Sequence, residues 1–155
     1  MDDGEVASIR RMAGDYHVIQ TILWARAARR RLDEGIARTE RDPDELVDRY
    51  GELLQGVLAL ESALIAAEHA VLDHAPNLPK PRLPTRRQRA AIKNLRHVAA
   101  HEETAIHEQD LFLIRIEGNS VVVRRGGRKH TLAFEEWRLI VDELELWART
   151  TAQAV

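Results

Sequence analysis

The chain has 155 residues, no cysteine and a formal net charge of −2. This length suits one domain, and the lack of cysteine excludes disulfides, thiolate nucleophiles and cysteine-ligated zinc. The net charge excludes a protein that coats nucleic acid over its whole surface, although local basic patches remain open.

The N-terminal segment MDDGEVASIRR is acidic and lacks the apolar segment of a signal peptide. No apolar run reaches the roughly 18 residues that a membrane span needs. We therefore expect one cytoplasmic domain over residues 1–155, with no membrane partner.

Helical spacing of apolar residues predicts a long first helix over residues 5 to about 38, carried by Val6, Ile9, Met12, Tyr16, Ile19, Leu23 and Ala27. Asp42, Pro43 and Glu45 then provide the cap, the first-turn proline and the acid that are typical of a helix start. The second helix carries a heptad-like stripe of Leu46, Tyr50, Leu53, Val57, Leu60, Leu64, Ala67 and Val71. This stripe predicts a helical partner and offers a surface on which two copies of the chain could pair.

A proline-rich segment at residues 75–85 predicts an extended loop. Thr85 and Gln88 form a capping box, so a third helix is expected to run to about Gln109. A β unit at about 111–134 is indicated by β-branched residues on both sides of Gly118-Asn119, and a last helix is expected over residues 135–150. The predicted fold is mainly α: an antiparallel helical bundle with a small C-terminal β-hairpin or meander before the last helix.

The middle of the third helix contains the stretch IKNLRHVAAHEE, residues 92–103. Its segment from Arg96 through His97 to His101 resembles the signature of the HEPN domains, which is Arg, four to six residues, then His, often with Asn, Asp or His directly after the Arg. HEPN domains are all-helical dimeric modules, and many are metal-independent ribonucleases. The resemblance covers mainly residues 86–109.

The resemblance implies an endoribonuclease without cofactor or metal, a homodimer, RNA as substrate (single-stranded RNA or tRNA) and a role as a toxin or in phage defence. A cognate antitoxin protein is then a further expected partner. The subset controlled by a nucleotidyltransferase antitoxin has Tyr two residues past the His, where this chain has Glu103, so that type of control is not expected.

The residue types suit this chemistry. Cleavage of RNA by its own 2′-hydroxyl needs a base, an acid and a cation on the phosphate. Histidine can serve as acid or base near neutral pH, and a guanidinium can hold two phosphate oxygens. We therefore assign His101 as the general acid/base, Arg96 as the cation that stabilises the transition state, and His97 as a group that orients the phosphate or shuttles a proton.

Residues five apart on a helix point about 140° apart, so Arg96 and His101 of one straight helix do not face the same way. If two copies of the helix pack about a twofold axis, the Arg and His of both can face one cleft. The sequence therefore favours a composite site at a dimer interface.

A basic segment lies between His74 and His101 and contains no acid. It predicts a phosphate track leading to the cleft, formed by Lys80, Arg82, Arg86, Arg87, Arg89 and Lys93.

Two alternatives stay open. The chain could be a non-catalytic HEPN-like helical module that binds RNA, a nucleotide or another protein without cutting. It could also be a metal-binding bundle in which His97 and His101, four apart on one helix face, act with Glu61 and Glu68 of the second helix.

Overall fold

In chain order, three described helices precede a small antiparallel sheet and one helix follows it. The structure is a computed structural model that describes residues 2–38, 41–74, 80–82, 84–100 and 114–154. Within these ranges the elements are α1 (Asp3–Ala37), α2 (Pro43–His74), α3 (Arg86–Ala100), β1 (Ile114–Glu117), β2 (Ser120–Arg125), β3 (Arg128–Ala133) and α4 (Phe134–Ala154). The predicted mainly helical fold with a β unit before the last helix is confirmed.

Local signals set the starts of α2 and α3. The Asp42 carboxylate accepts a hydrogen bond from the Glu45 backbone N–H at 2.9 Å. The Thr85 hydroxyl accepts one from the Gln88 N–H at 3.2 Å, while the Gln88 side chain accepts one from the Thr85 N–H at 2.9 Å. The predicted capping box is therefore present, and it satisfies two backbone donors that the first helical turn leaves free. The expected continuation of the third helix to Gln109 lies outside the described residues.

The three strands form a meander with the order β1-β2-β3. Glu117 pairs with Ser120 across the turn at Gly118-Asn119, and Arg125 pairs with Arg128 across a second turn at residues 126–127. Gly118, Gly126 and Gly127 all have positive φ, which two-residue hairpin turns demand. The hairpin and the third strand are confirmed, while residues 111–113 of the predicted unit lie outside the described residues.

Helices α1 and α2 form an antiparallel hairpin. His17 contacts His69 near one end of it, with ring centroids 4.9 Å apart, and Arg31 binds Glu52 near the other at 2.8 Å. The buried residues of the two helices are mostly small, and they include Ala25, Ala28, Ala59, Ala63, Ala66, Ala67 and Ala70. Such residues let the two backbones approach closely.

The predicted apolar stripe of α1 is not its buried face. Ile9, Tyr16, Ile19 and Leu23 are each more than half exposed. The buried face contains Val18, Thr21, Ala25, Ala28 and Leu32. The apolar spacing therefore predicted the helix correctly but does not mark its buried face, because the close approach of α2 selects alanine over larger side chains there.

The heptad-like stripe of α2 is covered within the chain. Leu53, Val57, Leu60, Leu64 and Ala67 are all buried in one core with residues of α1, α3, α4 and the sheet. The prediction of a helical partner is thus met inside the chain. The expectation that this stripe offers a surface to a second copy was wrong, because its central residues are not accessible.

Helix α4 returns along α1 and is held there by ion pairs. Arg26 binds Glu145 at 2.7 Å, Arg29 binds Asp142 at 2.7 Å, and Arg138 binds Asp33 at 3.0 Å. Partial burial opposes ionisation of Glu145, but hydrogen bonds from Arg26, Arg29 and Arg149 outweigh it and lower the pKa of Glu145 to about 2. The first and last helices are therefore joined by a charged seam.

Helix α2 is the one described helix that is long and apolar enough to cross a membrane by length and composition. Its apolar window is 56% buried inside the fold. Leu53, Val57, Leu60 and Leu64 of this helix lie in the main core of the described fold.

Candidate nucleic-acid interface on α3

Helix α3 has one apolar and one basic face. It buries Ala91, Ile92, Leu95 and Val98 against the core. Arg86, Lys93 and Arg96 are exposed and follow each other at seven and three residues, so they share one side of the helix. We call these three residues the α3 basic face. None of them has an ion pair within the described ranges, which leaves three accessible cations along about 15 Å of helix.

The candidate catalytic residues lie at the C-terminal end of this face. Arg96 is exposed, and His97 is half-buried beside it. His101 lies outside the described residues, one position past the end of α3. The described part of the site is therefore an accessible guanidinium with an imidazole next to it.

Arg87 belongs to a different group, although it follows Arg86 directly. It donates to the backbone oxygen of Thr131 at 2.9 Å and forms an ion pair with Glu136, which also accepts from Gln88 at 2.7 Å. Partial burial opposes ionisation of Glu136, but hydrogen bonds from Gln88, the Ala133 backbone and Arg87 outweigh it and keep its pKa below the usual value. Arg87 thus fastens α3 to β3 and α4.

Arg89 is also held inside the fold. Its guanidinium donates to Glu61 at 3.2 Å and lies 3.0 Å from Glu68, so it bridges two acids of α2. Glu61 is buried, and the pairing with Arg89 compensates its charge. Arg89 therefore fixes α3 against α2, and its guanidinium is not free for a phosphate.

The same contact argues against the metal site formed by His97, His101, Glu61 and Glu68. Both carboxylates of that site already bind Arg89. His97 lies eight residues after Arg89 on α3, which is about 12 Å farther along the helix axis. The described residues contain no group of three or more His, Asp or Glu side chains that could hold a metal ion. His101 is not among the described residues, so this absence does not extend to it.

The proline segment contributes two further basic residues. Lys80 is exposed, and Arg82 is exposed with a loose contact of 3.5 Å to Glu143 of α4. The predicted basic track is therefore divided: Lys80, Arg86 and Lys93 have no ion pair among the described residues, Arg82 has a weak one, and Arg87 and Arg89 are structural.

Comparison of the chain with protein-family models, curated proteins and solved structures found no match. The assignment of the site consequently depends on its own residues.

A second, exposed apolar row lies on α2 beside this site. Leu58, Ile65 and Leu72 are exposed and seven residues apart, so they lie on one side of the helix. Glu61 and Glu68, which bind Arg89 of α3, lie next to this row. We call these three residues the α2 row. The seven-residue spacing could have indicated this row from the sequence, but the buried stripe of the same helix has more members and was identified instead.

Proposed function

We propose that the chain is a metal-independent endoribonuclease of HEPN type that cleaves RNA at a composite site. The proposal depends on one observation: on α3, Arg86, Lys93 and Arg96 are exposed and have no ion pair within the described ranges. Arg89 lies on the same side of the helix but is held by Glu61 and Glu68. The arginine of the HEPN-like signature, Arg96, is therefore accessible to a phosphate, which supports the proposal.

The reaction starts at a ribose 2′-hydroxyl. A histidine removes its proton, the 2′-oxygen forms a bond to phosphorus, and the bond from phosphorus to the 5′-oxygen breaks as a second histidine gives that oxygen a proton. The products are a 2′,3′-cyclic phosphate and a 5′-hydroxyl. His101 of each copy supplies one of these groups, and Arg96 neutralises the charge that develops on the phosphate oxygens. His97 orients the phosphate or passes a proton.

Two copies are needed because Arg96 and His101 point about 140° apart on one straight helix. The α2 row is the apolar surface beside α3, and pairing along it about a twofold axis brings two α3 helices towards one cleft. Apolar contact on the row would exclude water at the edge of this cleft. The homodimer is therefore part of the proposal.

The resemblance to HEPN domains further supports a toxin or phage-defence role in the cytoplasm, with an antitoxin protein as partner. These roles are proposals that cellular experiments must test.

The test is cleavage of labelled single-stranded RNA and bulk tRNA by the purified chain in excess EDTA. The wild-type chain is compared with Arg96→Ala and His101→Ala, and Arg124→Ala, which removes an exposed arginine of β2, serves as the matched control. Cleavage to 2′,3′-cyclic phosphate ends that is lost in the first two variants and retained in the third supports the proposal. Removal of one such group is expected to cost about 10²- to 10³-fold in rate.

The non-catalytic alternative gives a different result. A chain that binds RNA through the α3 basic face but leaves it intact, with equal background in all samples, is a binding module. In that case the proposed nuclease function is wrong.

A further inference from the structure

A second apolar surface, which the described residues leave exposed, lies on α1. Counting heptads along α1 places Glu5, Ile9, Tyr16, Ile19, Leu23, Arg26 and Arg30 on one side of the helix. The four apolar members of this set are each more than half exposed. We call this set the α1 stripe. It extends about 37 Å along the helix.

The α1 stripe is separate from the α2 row. Arg26, which belongs to the stripe, reaches Glu145, so the stripe borders α4. The α2 row borders α3 through the acids that bind Arg89. The two apolar surfaces therefore lie on different sides of the bundle, and contact on the stripe does not by itself bring two α3 helices together.

The start of α1 extends past the described end of α2. Val18 packs with Ala70 of α2 and Ala148 of α4, and α2 ends only four residues after Ala70. Because α1 and α2 are antiparallel, residues 3–13 extend about 16 Å beyond the described end of α2. An isolated helix of this length is marginal in water. A second helix along the stripe would stabilise it.

The charges of the stripe identify that second helix. Its N-terminal end has the acid Glu5, its middle is apolar, and its other end has Arg26 and Arg30. Arg30 is exposed and has no ion pair within the described ranges. The stripe is thus complementary to a copy of itself that runs in the opposite direction.

The register follows from heptad packing. Each heptad of the stripe has a first position, such as Tyr16 or Arg30, and a second position three residues later, such as Ile19. In an antiparallel pair of helices, a first position of one helix packs beside a second position of the other. A layer with Tyr16 beside Ile19 of the partner subunit therefore puts Glu5 beside Arg30 of the partner subunit. A parallel pair would instead place acid against acid and arginine against arginine.

We propose that the α1 stripe is a self-association surface on which two copies of this chain pair as antiparallel helices about a twofold axis. The twofold relation makes the contact closed and self-complementary. This pairing is independent of the nuclease proposal, since it uses α1 and not α3. A chain that also pairs along the α2 row contains two different interfaces.

Because the chain has no cysteine, introduced thiols report the register without background. Full-length Glu5→Cys and Arg30→Cys chains, one with a size tag, are treated with a short bis-maleimide, each alone and after co-expression. The two positions are about 37 Å apart on one helix, so in an antiparallel pair two copies of the same variant hold their thiols too far apart for the reagent. We expect the mixed pair to cross-link and neither variant to cross-link with itself.

Each other result overturns the proposal. Cross-linking of Glu5→Cys with itself indicates a parallel pair, and no cross-linking in the mixture indicates that the stripe is not paired. Adding Ile19→Glu must abolish the cross-link, whereas Leu139→Glu, at an exposed leucine of α4, must leave it unchanged. Circular dichroism of both variants shows that they are folded, and a cross-link that survives Ile19→Glu contradicts the proposed surface.

A charge test measures the same register. Glu5→Arg and Arg30→Glu each place like charges together, so either one raises the dissociation constant measured by analytical ultracentrifugation by at least about threefold. The double variant restores the opposite charges and is expected to return it towards the wild-type value. Failure of the double variant to recover overturns the proposed register. Because RNA cleavage is not the readout, failure here leaves the nuclease proposal to its own test.

Discussion

Gly56 of α2 lies directly against the indole ring of Trp137 of α4. A β-carbon at position 56 would fall 2.6 Å from the ring atom Cζ2 of Trp137 and 3.0 Å from Cβ of Arg31. Trp137 is completely buried, so its ring has no free space into which it can move. The absence of a side chain at position 56 therefore permits α4 to pack on the α1–α2 hairpin.

Gly56→Ala is expected to destabilise the chain by about 1 to 3 kcal/mol, because overpacking of the core outweighs the better helix propensity of alanine. Gly51→Ala, in the same helix, is the matched control, since a β-carbon at position 51 meets nothing within 4 Å. It should stabilise the chain by about 0.5 to 1 kcal/mol. Thermal unfolding of both variants measures the difference, and equal shifts of the same sign would contradict the close packing.

Glu145 predicts how stability depends on pH. Its pKa is lowered to about 2 in the folded chain, from an ordinary value of 4.5, by the three arginines around it. A group with a lowered folded pKa contributes its full stability above the unfolded value and loses it as the pH falls through the folded value. The contribution is thus complete above about pH 5 and disappears between pH 4.5 and 2.

Glu145→Gln is expected to cost about 1.5 to 3 kcal/mol at pH 7 and much less at pH 2.5. Glu143→Gln is the control, because Glu143 has only a contact of 3.5 Å with the exposed Arg82. Chemical unfolding at a series of pH values gives both free energies. A difference between Glu145→Gln and wild type that stays constant down to pH 2.5 would refute the assignment.

Arg86 and Arg87 are neighbours in sequence, and they are expected to respond oppositely to mutation. Arg86→Ala and Lys93→Ala should weaken RNA binding and reduce the slope of log affinity against log salt by about 0.7 each, with unchanged melting temperature. Arg87→Ala should instead lower stability by about 1 kcal/mol through loss of its bonds to Thr131 and Glu136. Fluorescence anisotropy in a His101→Ala background measures affinity without cleavage. If all three variants weaken RNA binding equally, Arg87 also contacts RNA and the division of the basic residues is wrong.

The capping box that orients α3 gives a further prediction. Thr85→Ala removes the acceptor for the Gln88 N–H and should cost about 1 kcal/mol. Thr150→Ala is the control, since the Thr150 hydroxyl donates a hydrogen bond to the Leu146 carbonyl within α4 and does not cap a helix start. That change should be neutral or slightly stabilising. Hydrogen exchange at the first turn of α3 locates the effect, and unchanged protection there would show that other contacts determine the helix start.

Features that depend on adjacent residues were predictable from the sequence. The caps at Asp42 and Thr85 and the turn at Gly118 involve partners within a few positions, so the local pattern contains the whole interaction. The Arg96-His97 pair was found in the same way.

Features that depend on distant partners were not predictable. Helix α1 has two sides that could be buried, and periodicity favours the side with the larger residues, whereas the close approach of α2 selects the side with Ala25 and Ala28. Likewise, nothing near Arg87 indicates that its acid is Glu136, 49 positions away. The division of the basic track thus required the tertiary structure.

The charged seam between α1 and α4 also determines the order in which the chain can fold during synthesis. Arg26 and Glu145 are 119 positions apart, whereas Arg31 and Glu52 are 21 positions apart. The α1–α2 hairpin can therefore form early, because closing a short loop costs less conformational entropy. The side of α1 that receives α4 stays uncovered until α4 has left the ribosome. During that interval the nascent chain exposes its arginines and the apolar surface beneath them, and it is then most open to chaperones and to premature association.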